Sequence, residues 1–121
     1  MTDTLAGPDG AFVSERPWGQ FEQFTLNEKT TVKIITVAPG GRLSLQRHSH
    51  RGEFWKVVDG PMDIEVGDRS WSAAAGENIW VPQGSTHRIG NSGTSPTRIL
   101  EIAYGEFDED DIERLEDDYS R

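Results

Sequence analysis

The sequence has no cysteine. That excludes disulfides, a thiolate nucleophile and cysteine-ligated zinc, and leaves histidine, carboxylate and amide side chains as metal ligands. Histidine is scarce too, with three in 121 residues. No apolar run approaches the roughly 20 residues needed to cross a bilayer, and residues 1–10 have neither the basic nor the apolar part of a signal peptide. A cytoplasmic protein without a membrane partner is therefore expected. There is no basic stripe, which argues against nucleic acid as a partner. The length suits one domain with one core, and hence one principal site.

The net charge of −9 is unevenly spread. Residues 101–121 carry ten acids and two bases, a balance of −8, whereas residues 1–100 carry eleven acids and ten bases, a balance of −1. The body is thus nearly neutral and compatible with a small phosphorylated ligand, and the acidic tail reads as a solvated face.

Residues 1–14, rich in Gly, Asp and Thr and without a period, read as a flexible lead-in. From Gln20 onward, short β-branched and aromatic runs (21–26, 31–37, 42–46, 53–59, 62–66, 78–81, 87–89 and 98–104) are separated by Gly, Pro, Asn or Asp. This spacing predicts an all-β fold over residues 15–107, with antiparallel pairing because no helical crossover intervenes. Ala38-Pro39-Gly40-Gly41, Asp59-Gly60-Pro61 and Asn91-Ser92-Gly93 read as turns. In residues 108–121, Asp108 can cap a short helix in which Ile112, Leu115 and Tyr119 share one side, and this helical tail is expected to pack on the barrel.

Two motifs carry the chemistry. In the first, Gly40 precedes Gln46, His48, Glu53 and Gly60; in the second, Gly76 precedes Pro82, Gly84, His87 and Asn91. Gln46 and His48 are two apart on a strand and share a face. A turn then starts the next strand with Glu53 in reach, and the turn at Pro82 and Gly84 delivers His87 to close the set. Two imidazoles, a carboxylate and an amide oxygen make a mixed N/O site for one divalent transition metal, among Zn, Mn, Fe, Co and Ni, with positions left for substrate.

These motifs resemble the signature of the cupin superfamily, with Gln46 where a His is more usual. The resemblance implies a single-domain antiparallel jelly-roll β-barrel. Glu15-Arg16-Pro17-Trp18-Gly19, the run Pro39 to Gln46, Val81-Pro82 with Gly84 and His87-Arg88, and Asp110-Asp111-Ile112 with Glu116-Asp117-Asp118-Tyr119 are similar to type II phosphomannose isomerase. That domain occurs alone or joined to a mannose-1-phosphate guanylyltransferase, of which these 121 residues hold no counterpart. The implied activity is metal-dependent interconversion of mannose 6-phosphate and fructose 6-phosphate in carbohydrate metabolism and polysaccharide biosynthesis. The chain departs from the family where Phe54 replaces a usual His, Ser49 interrupts a run of His, and Ile34 stands at a position often held by Arg.

A ligated Glu53 has its lone pairs engaged, so a separate base is needed, and His50 and Glu101 are the candidates. His50 reads either as a residue that contacts substrate or supports a ligand, or as an ordinary loop His. Glu101 interrupts an apolar strand, either as a cavity carboxylate or as a paired residue on an outer face. Arg42, of the same parity as Gln46, is a candidate phosphate ligand, with Arg51 and Arg88 beside it; Trp55 shares the face of Glu53 and should line the substrate cavity. Leu43 and Leu45, read as facing away from the ligands, suggest a homodimer contact. Two other readings stay open: an iron-dependent oxygenase, since His48, Glu53 and His87 form a 2-His-1-carboxylate set, and a non-catalytic sugar-binding cupin.

Overall fold

Strand alternation sorts the side chains of this protein into an interior and two outer faces. The computed structural model describes residues 11–119. It contains eleven strands: β1 (Phe12–Arg16), β2 (Gly19–Gln23), β3 (Thr30–Val37), β4 (Leu45–Arg47), β5 (Glu53–Val57), β6 (Met62–Val66), β7 (Arg69–Ala73), β8 (Asn78–Val81), β9 (His87–Gly90), β10 (Thr97–Tyr104) and β11 (Glu113–Glu116). They form two facing antiparallel sheets, β3-β10-β5-β8 and β11-β4-β9-β6-β7, with β1 and β2 as a separate hairpin. The architecture is the expected all-β jelly-roll barrel. No helix among the described residues is long and apolar enough to cross a membrane.

The register shows which residues look inward. Ile99 lies opposite Ile35 and Val57, and Glu101 opposite Lys33 and Trp55. In the other sheet, Ile64 lies opposite Ile89 and Trp71. These apolar rows, with Met62, Ala73, Ile79 and Val81, form the main core between the sheets. The opposite parity of the first sheet carries Phe54 and Ile102, which pack with Ala11, Phe24 and Trp80 in a second cluster on the outer side. The predicted turns are present: Gly41 N–H donates to Ala38 O at 2.9 Å around Gly40, whose φ of +78° suits glycine. Gly93 N–H donates to Asn91 Oδ1 at 2.9 Å, a side-chain-closed turn.

Four expectations are corrected. Residues 12–14 belong to strand β1 rather than to a lead-in, and residues 1–10 lie outside the described part. The short C-terminal helix is not formed: residues 113–116 are β11, paired antiparallel with β4. Glu116, Asp117 and Asp118 would place three acids at the negative end of a helix dipole, whereas β11 satisfies the free edge of β4. Nor is the tail merely solvated. Arg88, only 6% exposed, donates to Leu43 O, Glu116 Oε1 and Glu116 O, which ties β11 to the barrel. Finally, Leu43 packs against the core instead of facing outward. The strand breaks at residues 43–44, which resets the parity counted back from Gln46.

Candidate metal centre

His48, Glu53 and His87 are brought together in the barrel interior, each offering one ligand atom within 4.8 Å of the others. All three are buried, with Glu53 at 1% exposure. His48 follows β4, Glu53 opens β5 and His87 opens β9; the register sets Gln46 directly beside His87. The gaps suit coordination: His48 Nε2 is 3.4 Å from Glu53 Oε2, and His87 Nε2 is 3.9 Å from Glu53 Oε1.

Hydrogen bonds behind the rings turn them toward an ion. His48 Nδ1 lies 2.6 Å from Asp111 O, and His87 Nδ1 lies 3.3 Å from Ser85 O. A carbonyl only accepts, so each Nδ1 carries the proton, and in the neutral ring the Nε2 lone pair faces the cavity, the arrangement that orients metal-bound histidines. Burial also holds the His87 imidazole below its usual pKa, favouring the neutral ring. Two lone pairs and a carboxylate aimed at one point call for a positive group among them, a place the Arg51 guanidinium partly fills in this structure and a divalent ion would fill more closely. The donor set fits a divalent transition metal.

Gln46 completes one wall of this cavity of about 220 Å³. Its amide nitrogen donates to Ser44 Oγ at 3.0 Å, so the carbonyl oxygen is the part of the amide still available to accept. Burial alone would raise the Glu53 carboxyl, but His87, His48 and Arg51 hold it below its ordinary range. Glu101 behaves oppositely: burial, then the charge of Glu53 and a hydrogen bond to it, push its carboxyl up to about 8. Glu101 therefore lines the cavity as a protonated partner of Glu53 in the metal-free site.

The proposed substrate residues separate. Arg51 enters the cavity, its Nε donating to Glu53 Oε2 at 3.0 Å and its Nη2 lying 3.3 Å from His48 Nε2. Its guanidinium also lies 4.2 Å from the centroid of the Phe107 ring and donates to Asp108 O. Trp55 is fully buried, donates to Glu53 Oε1 at 3.2 Å and packs edge-on against His87. Arg42 and Arg88 instead line a groove of about 680 Å³ away from the ligands. Both are already engaged, Arg42 with Asp118 and Arg88 with Glu116, and Arg42 faces that way because of the strand break at residues 43–44. His50 is exposed, outside the cavity lining, and its backbone N–H donates to Asp111 Oδ2.

Sequence reasoning missed the wall made by Lys33, Phe107, Glu109, Ile112 and Arg114. Only the inward parity of Lys33 on β3 was legible beforehand; the others come from the tail. The departures at Phe54 and Ile34 lie outside the cavity. Phe54 is in the outer cluster, and Ile34 is 58% exposed on β3.

Two facing antiparallel sheets with these ligands between them define a cupin-type protein with a candidate mononuclear metal centre. Residues 11–117 match the family described as mannose-6-phosphate isomerase C-terminal, and the chain belongs to it. It is 43% identical over 107 residues to the alginate biosynthesis protein AlgA of Pseudomonas aeruginosa, which covers 88% of this chain and 22% of AlgA. It is 41% identical to the xanthan biosynthesis protein XanB of Xanthomonas campestris, covering 88% and 23%. It is 39% identical to the mannose-1-phosphate guanylyltransferase ManC of Salmonella typhimurium, covering 88% and 22%. The chain thus spans less than a quarter of the length of these relatives. Among solved structures, a cupin 2 domain-containing protein from Halorhodospira halophila matches with a TM-score of 0.63 at 23% identity, over 70% of this chain and 57% of that one. The capsular polysaccharide assembling protein CapF of Staphylococcus aureus matches with a TM-score of 0.67 at 21% identity, over 88% and 34%. At these identities the structures speak to the fold alone.

Proposed function

We propose that this chain is a metal-dependent aldose-ketose isomerase that interconverts mannose 6-phosphate and fructose 6-phosphate. The observation that carries this reading is a cluster of three buried candidate ligands, His48, Glu53 and His87, of which His48 and Glu53 line one small cavity together with Glu101, a carboxyl that is not needed as a ligand. His48, Glu53 and His87, with the Gln46 carbonyl oxygen, would hold the ion. When bound, it supplies Lewis-acid polarisation of the sugar's carbonyl and adjacent hydroxyl oxygens.

The rest falls to the protein. With an ion held by Glu53, the Glu101 carboxyl would lose the neighbouring charge that keeps it protonated and would give its proton to solvent; as a carboxylate it would take the proton from the carbon next to the carbonyl and return it to the neighbouring carbon. Arg51, held against Phe107, orients the hydroxyls at the reacting end. Trp55 and Leu43 keep bulk water from the inner wall. His50, exposed on its loop, is set aside as the base.

The iron oxygenase reading rests on the same three ligands and parts from this one in its need for oxygen. The departures from the family at Phe54 and Ile34 lie outside the cavity, so neither bears directly on its chemistry. The deciding test is an anaerobic isomerisation assay of protein loaded with Zn(II) or Co(II). Conversion of mannose 6-phosphate to fructose 6-phosphate, abolished by chelator and restored by metal, is expected; metal-loaded protein that gives no fructose 6-phosphate refutes the reading.

A further inference from the structure

A sugar phosphate has two ends of different chemistry, and the cavity treats them differently. Its inner part holds the carboxylates Glu53 and Glu101, which repel a phosphate dianion. The phosphate must then lie at the outer end, where cations are needed. The register supplies one that the sequence did not reveal: Arg114 on β11 pairs with Gln46 on β4, which pairs with His87 on β9. Residues directly opposite across antiparallel strands share a face, so Arg114 continues the ligand row toward the mouth.

The other arginines near the motifs are committed. Arg42 is engaged by Asp118, Arg47 by Glu113, Arg88 by Glu116 and Arg51 by Glu53. Among the described residues Arg114 has no ion-pair partner, yet it lines the cavity and is exposed at its rim. Across the mouth, on edge strand β3 of the other sheet, Lys33 also lines it. Its ammonium is 3.4 Å from Glu109 and 4.3 Å from the Phe107 ring centroid. An exposed pair of this kind is weak, so a dianion can displace Glu109 from Lys33.

We propose that Arg114 and Lys33, one from each sheet, form the phosphate-binding subsite at the cavity mouth and select phosphorylated over free hexose. The inference rests on the isomerase reading and adds the residues that read the distal end of the substrate. Arg114 contributes a fork of donors to the phosphate oxygens and Lys33 a point charge opposite. The acidic tail thereby has a second role, since the strand it adds to the sheet delivers the cation.

The test uses the full chain loaded with Co(II), as wild type, Arg114→Gln and Lys33→Gln, with Arg98→Gln as a distant control. KM for mannose 6-phosphate is expected to rise about 10- to 100-fold in the first two variants, the worth of a lost charge-assisted hydrogen bond, with kcat changed far less. The inhibition constant of inorganic phosphate should rise in parallel, Arg114→Lys should recover part of the loss, and the Co(II) absorption spectrum should match wild type. An unchanged KM together with unchanged phosphate inhibition in both variants overturns the subsite. Should the wild type turn over no sugar, the isomerase reading falls alone, and calorimetric binding of inorganic phosphate decides the subsite. Binding lost in Arg114→Gln supports it; binding equal in both proteins, or absent from wild type, overturns it.

Discussion

At the scale of single residues, the cavity is governed by how close its carboxylates stand. Burial first, and then the charge of neighbouring Glu53, keep the proton on Glu101 up to about pH 8. The sign of the stability effect follows. An unfolded Glu ionises near 4.3, while the folded metal-free protein retains the proton to higher pH. The unfolded state is then favoured increasingly as pH rises through that window. Metal-free wild type should therefore lose stability between about pH 5 and 8 relative to Glu101→Gln, which mimics the protonated form and removes the titration. Thermal melting of both proteins in chelator across that range checks this, and parallel curves would show that Glu101 ionises freely in the folded state.

At the scale of elements, the tail is held by unequal contacts. Its ion pairs Lys29 with Glu106 and Arg47 with Glu113 are exposed, and such pairs contribute little. The buried guanidinium of Arg88 matters more, because losing it leaves Leu43 O and Glu116 O without their donor. Arg88→Met is expected to cost on the order of 2–4 kcal/mol in denaturant unfolding. Amide exchange protection should be lost first across β11. Since Asp111 O, two residues before β11, orients His48 and Arg114 sits on β11, loosening this element should weaken metal binding through the first and phosphate affinity through the second. Retained protection at residues 113–116 would show that pairing with β4 suffices to hold the strand.

At the scale of the whole molecule, an ion among His48, Glu53 and His87 would add to the few polar ties between the two sheets, such as Asn91, just after β9, donating to Val37 O of β3. His48 and His87 come from one sheet side and Glu53 from the other, so an ion bound among them joins the barrel's halves. A ligand that binds only the folded state stabilises it by about 2.7 kcal/mol at a hundredfold excess over its Kd. Saturating Zn(II) should accordingly raise Tm by roughly 10 °C, and His48→Ala should abolish the shift. Differential scanning calorimetry with and without chelator measures it; equal melting in both conditions would mean that no ion is held.

The strands and turns were readable because alternation and turn chemistry are local. Thr31 to Val37 and Met62 to Val66 were legible from residue type alone, whereas β7, with Ser70 and Ser72 alternating around Trp71, carries too weak an apolar signal. The convergence of His48, Glu53 and His87 was legible too, since spacing within two short motifs places them on facing strands. Alternation alone allows Glu101 either face, and its cavity position follows only from pairing with Lys33 and Trp55.

The tail's fate lay beyond local reading. Ile112, Leu115 and Tyr119 share a helical spacing, yet the free edge of β4, some 66 positions from Glu113, draws the segment into a strand. The break at residues 43–44 likewise sent Arg42 outward, where its parity with Gln46 pointed inward. Local residue chemistry specifies which residues alternate and where the chain turns, and so the barrel and the convergence of His48, Glu53 and His87. The assembled fold alone sets which arginines face the cavity and what lines its mouth. Those depend on pairing between distant segments, and no local period encodes which edge a strand will meet.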